Sequence, residues 1–517
     1  MKSRLWAAAA ASTVLWIISF PVAAYTPNLV PGPVSAVAVW LFLVPLAAAL
    51  HGRTPGESFR AGYVTGFLAN GGVFFWVTVA MQRYGSLKTW QSVPILLLLI
   101  AELALYPALT FWAMAKWKTR APRWLVGALV LTLLEWTRVY APLEGFPWGT
   151  PAYGLYSALP MIQAGDLVGI VGINFLVLLI NFVIAETLVC RRERRPIPGV
   201  GLGLSAVLFT AFLWYGVYRL SAPELRGGEK QEPAVRVAVL QGNIPQDEKW
   251  DEKWASEVLE RYQALTAEAA LAKPDLIVWP EAALPMNVST DTKKFQFLSG
   301  QAGSADLLVG ASTWTLVNNR PRYSNSAFST GPDGRVKLRY DKQHLVPYGE
   351  YVPLSDVLPM YRIVPAMAGN FSKGAPPDRL PDVRGNPYGV LICYEVLFPD
   401  LAADRVRMGA RFLVNITNDA WFDETSGPFQ HVRFGRFRAI ETRRFVVRSA
   451  NAGISTWFDP LGRTSQEIGL FRQGLLVAQI VPSSELTFYV RHPQAATIAL
   501  VVVLILASLG LFKRHEF

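Results

Sequence analysis

Only two of the 517 residues are cysteines, and one of them, Cys393, stands where a thiol can react. It closes the short apolar run 388–392 and is followed at once by a phenol, Tyr394, and a carboxylate, Glu395. A thiol at a strand end beside ionisable groups is a candidate nucleophile, although a lone cysteine is by default an inert buried hydrophobe. Its company argues against that default. Glu281 follows the expected strand 275–279 in Trp279-Pro280-Glu281, and Lys342 follows 336–340. Strand ends along one sheet edge are the usual place to assemble a site. Each of these charges alone reads as a solvated loop residue; together they supply a base, a cation and a thiol. A free thiol has a pKa of ~8.5, so at neutral pH it needs a base or a nearby cation. Glu281 can take its proton, while Lys342 and the backbone N–H of Tyr394 stabilise a tetrahedral oxyanion, leaving a thioester on Cys393. On this reading the Cys393 pKa is depressed and rises when Lys342 is removed. The rival is a Cys–His dyad using His344 or His431, which ranks second.

The elements that must position these groups lie between about 222 and 491, where Pro, Gly and charges appear and strands alternate with helices. Apolar runs at 235–240, 275–279, 307–310, 326–330, 336–340, 388–393, 412–416, 446–450, 456–459 and 475–480 read as strands. Amphipathic stretches at 252–272 and 429–444 read as helices. This is one layered α/β domain. The rest of the chain is of another kind. Hydrophobic residues make up 52% and charged residues 17%, and the mean hydropathy is +0.27. That pattern points to multiple membrane spans. Candidates are 5–24, 32–50, 59–81, 90–115, 123–141, 167–190, 198–220 and 494–512, giving a seven-helix domain at 1–221, the α/β domain at 222–491 and an eighth helix with a tail at 492–517. Pro21-Val22-Ala23-Ala24 also resembles a cleavage site behind a basic start, but a retained span fits the spans that follow. Basic loops at Arg53, Lys116–Arg123 and Arg191–Arg195 alternate with loops poorer in charge, which puts both termini in the cytoplasm and the α/β domain outside it.

The net charge of +11 falls in short clusters between apolar runs rather than in a nucleic-acid stripe, so no nucleic-acid partner is expected. There is no Cys/His cluster with zinc spacing, hence no metal and no cofactor is expected; two cysteines far apart in sequence argue against a disulfide framework, and Cys190, at the cytoplasmic end of its span, cannot pair with Cys393 across the bilayer. Glu102, Glu135 and Glu186 fall inside spans, where carboxylates are costly; a structural ion pair, as Glu135 three residues before Arg138 suggests, outranks a functional role. The turn-rich aromatic segment 144–149 reads as an interfacial anchor or a lipid entrance. The segment 352–371, apolar between prolines, reads as a mobile arm at the interface or as an ordinary packed loop.

The order Glu281, Lys342, Cys393 resembles the catalytic set of the nitrilase superfamily of carbon–nitrogen hydrolases. The stretches 239–246, 342–353 and 415–422, with seven spans before the domain and one after, are similar to its membrane-bound, lipoprotein-acylating branch along essentially the whole chain. The resemblance implies a four-layer αββα sandwich on eight transmembrane helices. It implies a bacterial inner-membrane enzyme with a periplasmic catalytic domain that works by a ping-pong route in the last step of lipoprotein maturation. Cys393 takes an acyl chain from a membrane phospholipid and passes it to the N-terminal amine of a diacylglyceryl-cysteine lipoprotein. Glu281 is the base and Lys342 the oxyanion stabiliser. Glu350, Tyr394, Glu395, Trp250 and Trp421 match supporting or substrate-binding positions. Asp423 stands where the pattern leads one to expect glycine. A monomer is the default oligomeric expectation. The competing readings are a membrane-tethered amidase or nitrilase that hydrolyses a small carbon–nitrogen bond, and a transporter or scaffold whose outer domain only binds ligand.

Overall fold

The computed structural model describes residues 2–21, 32–83, 87–117, 121–221, 233–245, 253–284, 295–296, 300–317, 320–352 and 371–509. They form two compact units, one from residues 1–77, 93–221 and 492–517, the other from 78–92 and 222–491. Trp250 and nearly all of the 352–371 segment lie outside the described residues.

The first unit is helical. Among the described residues three helices are long and apolar enough to cross a membrane, Thr89–Lys116, Gly165–Glu193 and Gly199–Ser221, and a fourth if Pro55–Phe74 and Trp76–Arg83, bent by 48°, form one span. Ser3–Ile18 and Ala495–Ser508 are apolar but shorter. The expectation of eight full spans is therefore met only in part. The expected span 32–50 divides into helices Gly32–Ala38 and Val44–Ala49. Pro45 sits in the first turn of the second, where its missing N–H starts a helix more readily than it continues one. In an apolar medium the backbone groups freed by such a break need partners. Asn181 supplies them: its Oδ1 accepts from Leu43 N at 2.9 Å and its Nδ2 donates to Val39 O at 2.9 Å.

Glu135 and Arg138 form the buried ion pair, 2.8 Å apart. Arg138 also donates to the carbonyls of Phe146, at 3.1 Å, and Trp148. The rings of Phe146 and Trp148 pack against each other and against Phe74 and Trp76. Segment 144–149 is thus folded onto its own unit by a buried guanidinium.

The second unit is built on two six-stranded sheets. One runs β12–β1–β2–β3–β4–β5, from strands Val235–Gln241 (β1), Leu276–Val278 (β2), Asp306–Val317 (β3), Arg320–Thr330 (β4), Val336–Asp341 (β5) and Gly474–Ile480 (β12). The other runs β11–β10–β9–β8–β7–β6, from Asp382–Val383 (β6), Asn386–Ile392 (β7), Phe412–Thr417 (β8), Val446–Ala450 (β9), Ser455–Phe458 (β10) and Glu467–Ile468 (β11). The central pairs β1–β2, β2–β3, β7–β8 and β8–β9 are parallel, which demands apolar side chains on both faces.

The period-two alternation of a strand divides those side chains between two cores. Val235, Val237, Val239, Leu276 and Val278 face the other sheet and meet Tyr388, Val390, Ile392, Phe412, Val414 and Ile416. Ala238, Leu240 and Ile277 face outward, onto Val258, Leu259, Tyr262 and Leu265 of helix Ala255–Leu271. On the far side, helix Gly427–Thr442 packs on β9 and β10, where Gly435 lies against Phe458 and Val446. Helix, sheet, sheet, helix is the order of layers, as the αββα reading requires.

Candidate active site

Glu281, Lys342 and Cys393 emerge from the ends of β2, β5 and β7, and all three are buried. The loop that carries Glu281 rests on β3: Ala283 N–H donates to Gly310 O at 2.8 Å, and a Cβ on Gly310 would lie 2.6 Å from the Glu281 Cα. Only glycine permits that approach. The Glu281 carboxylate accepts from Asn325 Nδ2 at 2.7 Å, from Lys342 Nζ at 3.4 Å and from the backbone N–H of Asn418 at 2.8 Å. Lys342 Nζ also donates to Glu350, at 2.9 Å, and the second Glu350 oxygen accepts from Val346 N at 2.8 Å. Asn325 Nδ2 bridges the two carboxylates, since it donates to Glu350 as well, at 2.8 Å.

Cys393 begins the short 3₁₀ turn Cys393–Leu397 with φ +51°, a sharp strand-to-helix elbow. A non-glycine residue with positive φ is strained and persists only where its surroundings fix it. Burial pushes the Cys393 thiol well above its ordinary value; the Glu281 charge adds to this and the Lys342 charge opposes it. The expectation of a depressed thiol is therefore corrected. Lys342 acts in the expected direction, but a dry site with an adjacent carboxylate outweighs it. Burial would also discharge Lys342, yet Glu350 and then Glu281 hold its ammonium well above the ordinary range. With the thiol neutral, Glu281, Glu350 and Lys342 sum to one negative charge.

The two histidines of the rival reading have other partners. His344 stacks on Phe398 with ring centroids 4.0 Å apart. His431 lies behind the elbow, with Nε2 3.3 Å from the main-chain carbonyl oxygen of Cys393. Glu395 supports the site from the interior. It is fully buried, and its oxygens accept from Ile392 N at 2.7 Å, Gln343 N at 2.6 Å, His344 N at 3.3 Å and Tyr340 Oη at 2.7 Å. One carboxylate thereby ties the Cys393 elbow to the Lys342 loop. These bonds give Glu395 a supporting place in the site. Tyr394 is buried, with its ring edge-on to Phe398. Trp421 belongs to the half-turn Asp419–Phe422, which ends at Asp423 with φ +51° and ψ −160°. That conformation belongs to glycine, and the Asp423 carboxylate is paired with Arg83.

Asn325 and the backbone N–H of Asn418 are the site residues that sequence reasoning did not assign. An asparagine in the interior of a strand, where it is disfavoured, was the available signal for the first. A backbone donor leaves none.

This arrangement defines a carbon–nitrogen hydrolase-type catalytic unit, and the model of the carbon-nitrogen hydrolase family matches residues 236–486. The model of the apolipoprotein N-acyltransferase N-terminal domain matches residues 5–183. An apolipoprotein N-acyltransferase of Geobacter metallireducens is 37% identical over 93% of this chain and 90% of its own length. One of Pseudomonas putida is 33% identical over 94% and 92%. The chain belongs to the apolipoprotein N-acyltransferase family, a group of acyl-transferring enzymes. Among solved structures, an amidase from Nesterenkonia sp. is similar over 53% of this chain and 98% of its own, with a TM-score of 0.37 and 18% identity.

Proposed function

We propose that the chain transfers an acyl group from a membrane phospholipid, through a thioester on Cys393, to the N-terminal amine of diacylglyceryl-cysteine apolipoproteins. The observation that carries the catalytic assignment is the buried Lys342 ammonium, held between Glu281 and Glu350 at 3.4 and 2.9 Å beside a neutral thiol. Losing the thiol proton to solvent would raise the buried charge from one negative to two. Passing it to Glu281 leaves the total unchanged, so the internal transfer is the lower route.

In the first half-reaction Glu281 takes the Sγ proton as sulfur attacks the ester carbonyl. Lys342 Nζ and the Tyr394 N–H stabilise the oxyanion. The ester C–O bond breaks, Glu281 returns its proton to the leaving oxygen, and a lysophospholipid departs. In the second half the amine nitrogen attacks the thioester and yields its proton to Glu281. The C–S bond breaks, the amide forms, and Glu281 hands the proton back to sulfur. Glu350 keeps Lys342 charged in both halves, and Trp421 and Tyr394 take supporting roles by their match to the family's functional positions.

A lipid donor supplies a reason for the helical unit, which a small-amide hydrolase would not need. The eight-helix arrangement, the periplasmic placement of the catalytic unit and cytoplasmic termini are part of this reading, supported by the alternation of basic and charge-poor loops. The test is trapping. Phospholipid carrying a radiolabelled acyl chain should label the wild-type protein on Cys393 and leave Cys393→Ala unlabelled, and a diacylglyceryl-cysteine peptide should then discharge the label as an amide. Turnover of small amides without any phospholipid labelling would defeat the transferase assignment.

A further inference from the structure

Among the buried groups that this mechanism leaves unused is His431. It is fully enclosed on helix Gly427–Thr442. Its Nδ1 lies 2.9 Å from Asp419 Oδ1 and 3.1 Å from Arg448 Nη2, and its Nε2 lies 3.3 Å from the Cys393 carbonyl oxygen. Asp419 is itself fixed, accepting from Thr417 Oγ1 at 2.9 Å and from Arg448 Nη2 at 2.6 Å. Arg448 is held in turn by Asn415 Oδ1 and by the Ile454 carbonyl, the latter at 3.2 Å. Asn415 closes the ring, with Nδ2 3.0 Å from Leu391 O and 3.5 Å from Cys393 O. Two side-chain donors thus converge on one carbonyl, that of the strained elbow.

That carbonyl belongs to a rigid plane. The peptide joining Cys393 to Tyr394 is trans, so its C=O and the Tyr394 N–H point in opposite directions and turn together. Holding one end aims the other. A hydrogen bond weakens steeply as its angle closes, so an unheld peptide would present a poorer donor to a developing oxyanion. The ring can serve the carbonyl only with a proton on Nε2. It can be neutral, with Nδ1 accepting from Arg448, or cationic, with Nδ1–H donating to Asp419.

We propose that His431 is a positioning residue: by gripping the Cys393 carbonyl from behind it aims the Tyr394 N–H at the oxyanion of each half-reaction. The assignment rests on the proposed Cys393 thioester route.

The test uses the full-length protein in detergent with phospholipid bearing a radiolabelled acyl chain. In His431→Asn the amide stands at the Nδ1 position and no longer reaches the carbonyl, which keeps only the 3.5 Å contact from Asn415. In His431→Gln an amide nitrogen reaches the Nε2 position. His431→Asn is expected to slow acyl-enzyme formation roughly tenfold to a hundredfold in kcat, with KM for phospholipid unchanged. Alkylation of Cys393 by iodoacetamide, which forms no oxyanion, should keep its wild-type rate. His431→Gln should stay within about threefold of wild type in transfer. Wild-type transfer in His431→Asn would overturn the assignment, as would alkylation falling in step with transfer, or the glutamine variant being as slow as the asparagine one. If His431→Asn does not fold, His431→Gln decides alone, and a tenfold loss there counts against the idea. Absence of any label on wild-type Cys393 would instead bring down the thioester route itself.

Discussion

Glu281→Gln separates two effects that the native carboxylate combines. Its negative charge raises the Cys393 thiol, on top of the larger effect of burial and against the Lys342 cation. Its basicity is also what the proposed transfer route uses. A charge within about 4–6 Å moves a neighbouring pKa by roughly 1–3 units, or about 1.4–4 kcal/mol. Removing the charge should therefore lower the thiol by about that amount and make it a better nucleophile toward a reagent that needs no base. The substitution has a structural cost as well. Both oxygens accept hydrogen bonds, from Asn325 and from the Asn418 N–H, and the new NH₂ must face one of these donors. About 1–3 kcal/mol of stability is expected to go with the lost bond, visible as a lower Tm. The assay is the rate of Cys393 alkylation by iodoacetamide against pH, run beside phospholipid labelling. The alkaline limb of the alkylation profile should move down by about 1–3 pH units, while acyl transfer falls by roughly 10²–10⁴. A limb that stays in place or moves up would refute the charge argument, and transfer that survives would refute the assignment of Glu281 as the base.

Lys342→Met removes the cation between two carboxylates and should cost about 3–5 kcal/mol, largely recovered by adding Glu350→Gln. The double variant should therefore regain most of the Tm lost in the single one, and a double variant no more stable than Lys342→Met would count against the ion-pair argument. Asp423→Gly relieves a backbone conformation that costs about 1–3 kcal/mol and forfeits an ion pair to a largely exposed Arg83 worth about 0–1 kcal/mol; a net rise in Tm is expected, and a fall would show that the pair dominates. Against burial, Arg448 and His431 hold the Asp419 carboxyl well below its ordinary range, so its contribution is fully present above about pH 4 and lost as pH falls. Asp419→Asn should flatten the acid limb of an unfolding profile.

The sequence made the strand ends legible because apolar runs bounded by turn residues are local signals, and β1, β2, β5, β7, β8 and β9 lie close to where the pattern put them. Glu281, Lys342 and Cys393 were singled out for the same reason: each stands at, or two residues past, the point where such a run stops. What escaped is non-local. Nothing in Ser324-Asn325-Ser326 announces that Asn325 bridges two carboxylates from other loops, and nothing near His431 points to a carbonyl 38 residues away. The sign of the thiol shift escaped as well, because a neighbouring lysine can be inferred from motif order whereas desolvation depends on what covers the sulfur. The break inside the expected span 32–50 escaped too, since Pro45 opens a second helix within an apolar run and a distant asparagine makes the interruption tolerable.

The neutral thiol and the fixed peptide plane bear on the same difficulty. A ping-pong acyl transfer must leave the enzyme chemically ready after each half-reaction, although its two substrates differ in size and polarity. On the proposed route, once Glu281 has protonated the departing lipid oxygen, the cluster returns to one net negative charge with an uncharged thioester in place of the uncharged thiol. The base that meets the incoming amine is thus in the same state as the base that met the thiol, beside the same ammonium and the same Tyr394 N–H. The buried cluster need not reorganise between the halves, and groups already oriented where charge develops are the most effective form of electrostatic catalysis. This accounts for so much hydrogen bonding being devoted to holding Cys393, Lys342 and Glu281 still, through Glu395, Asn325 and His431.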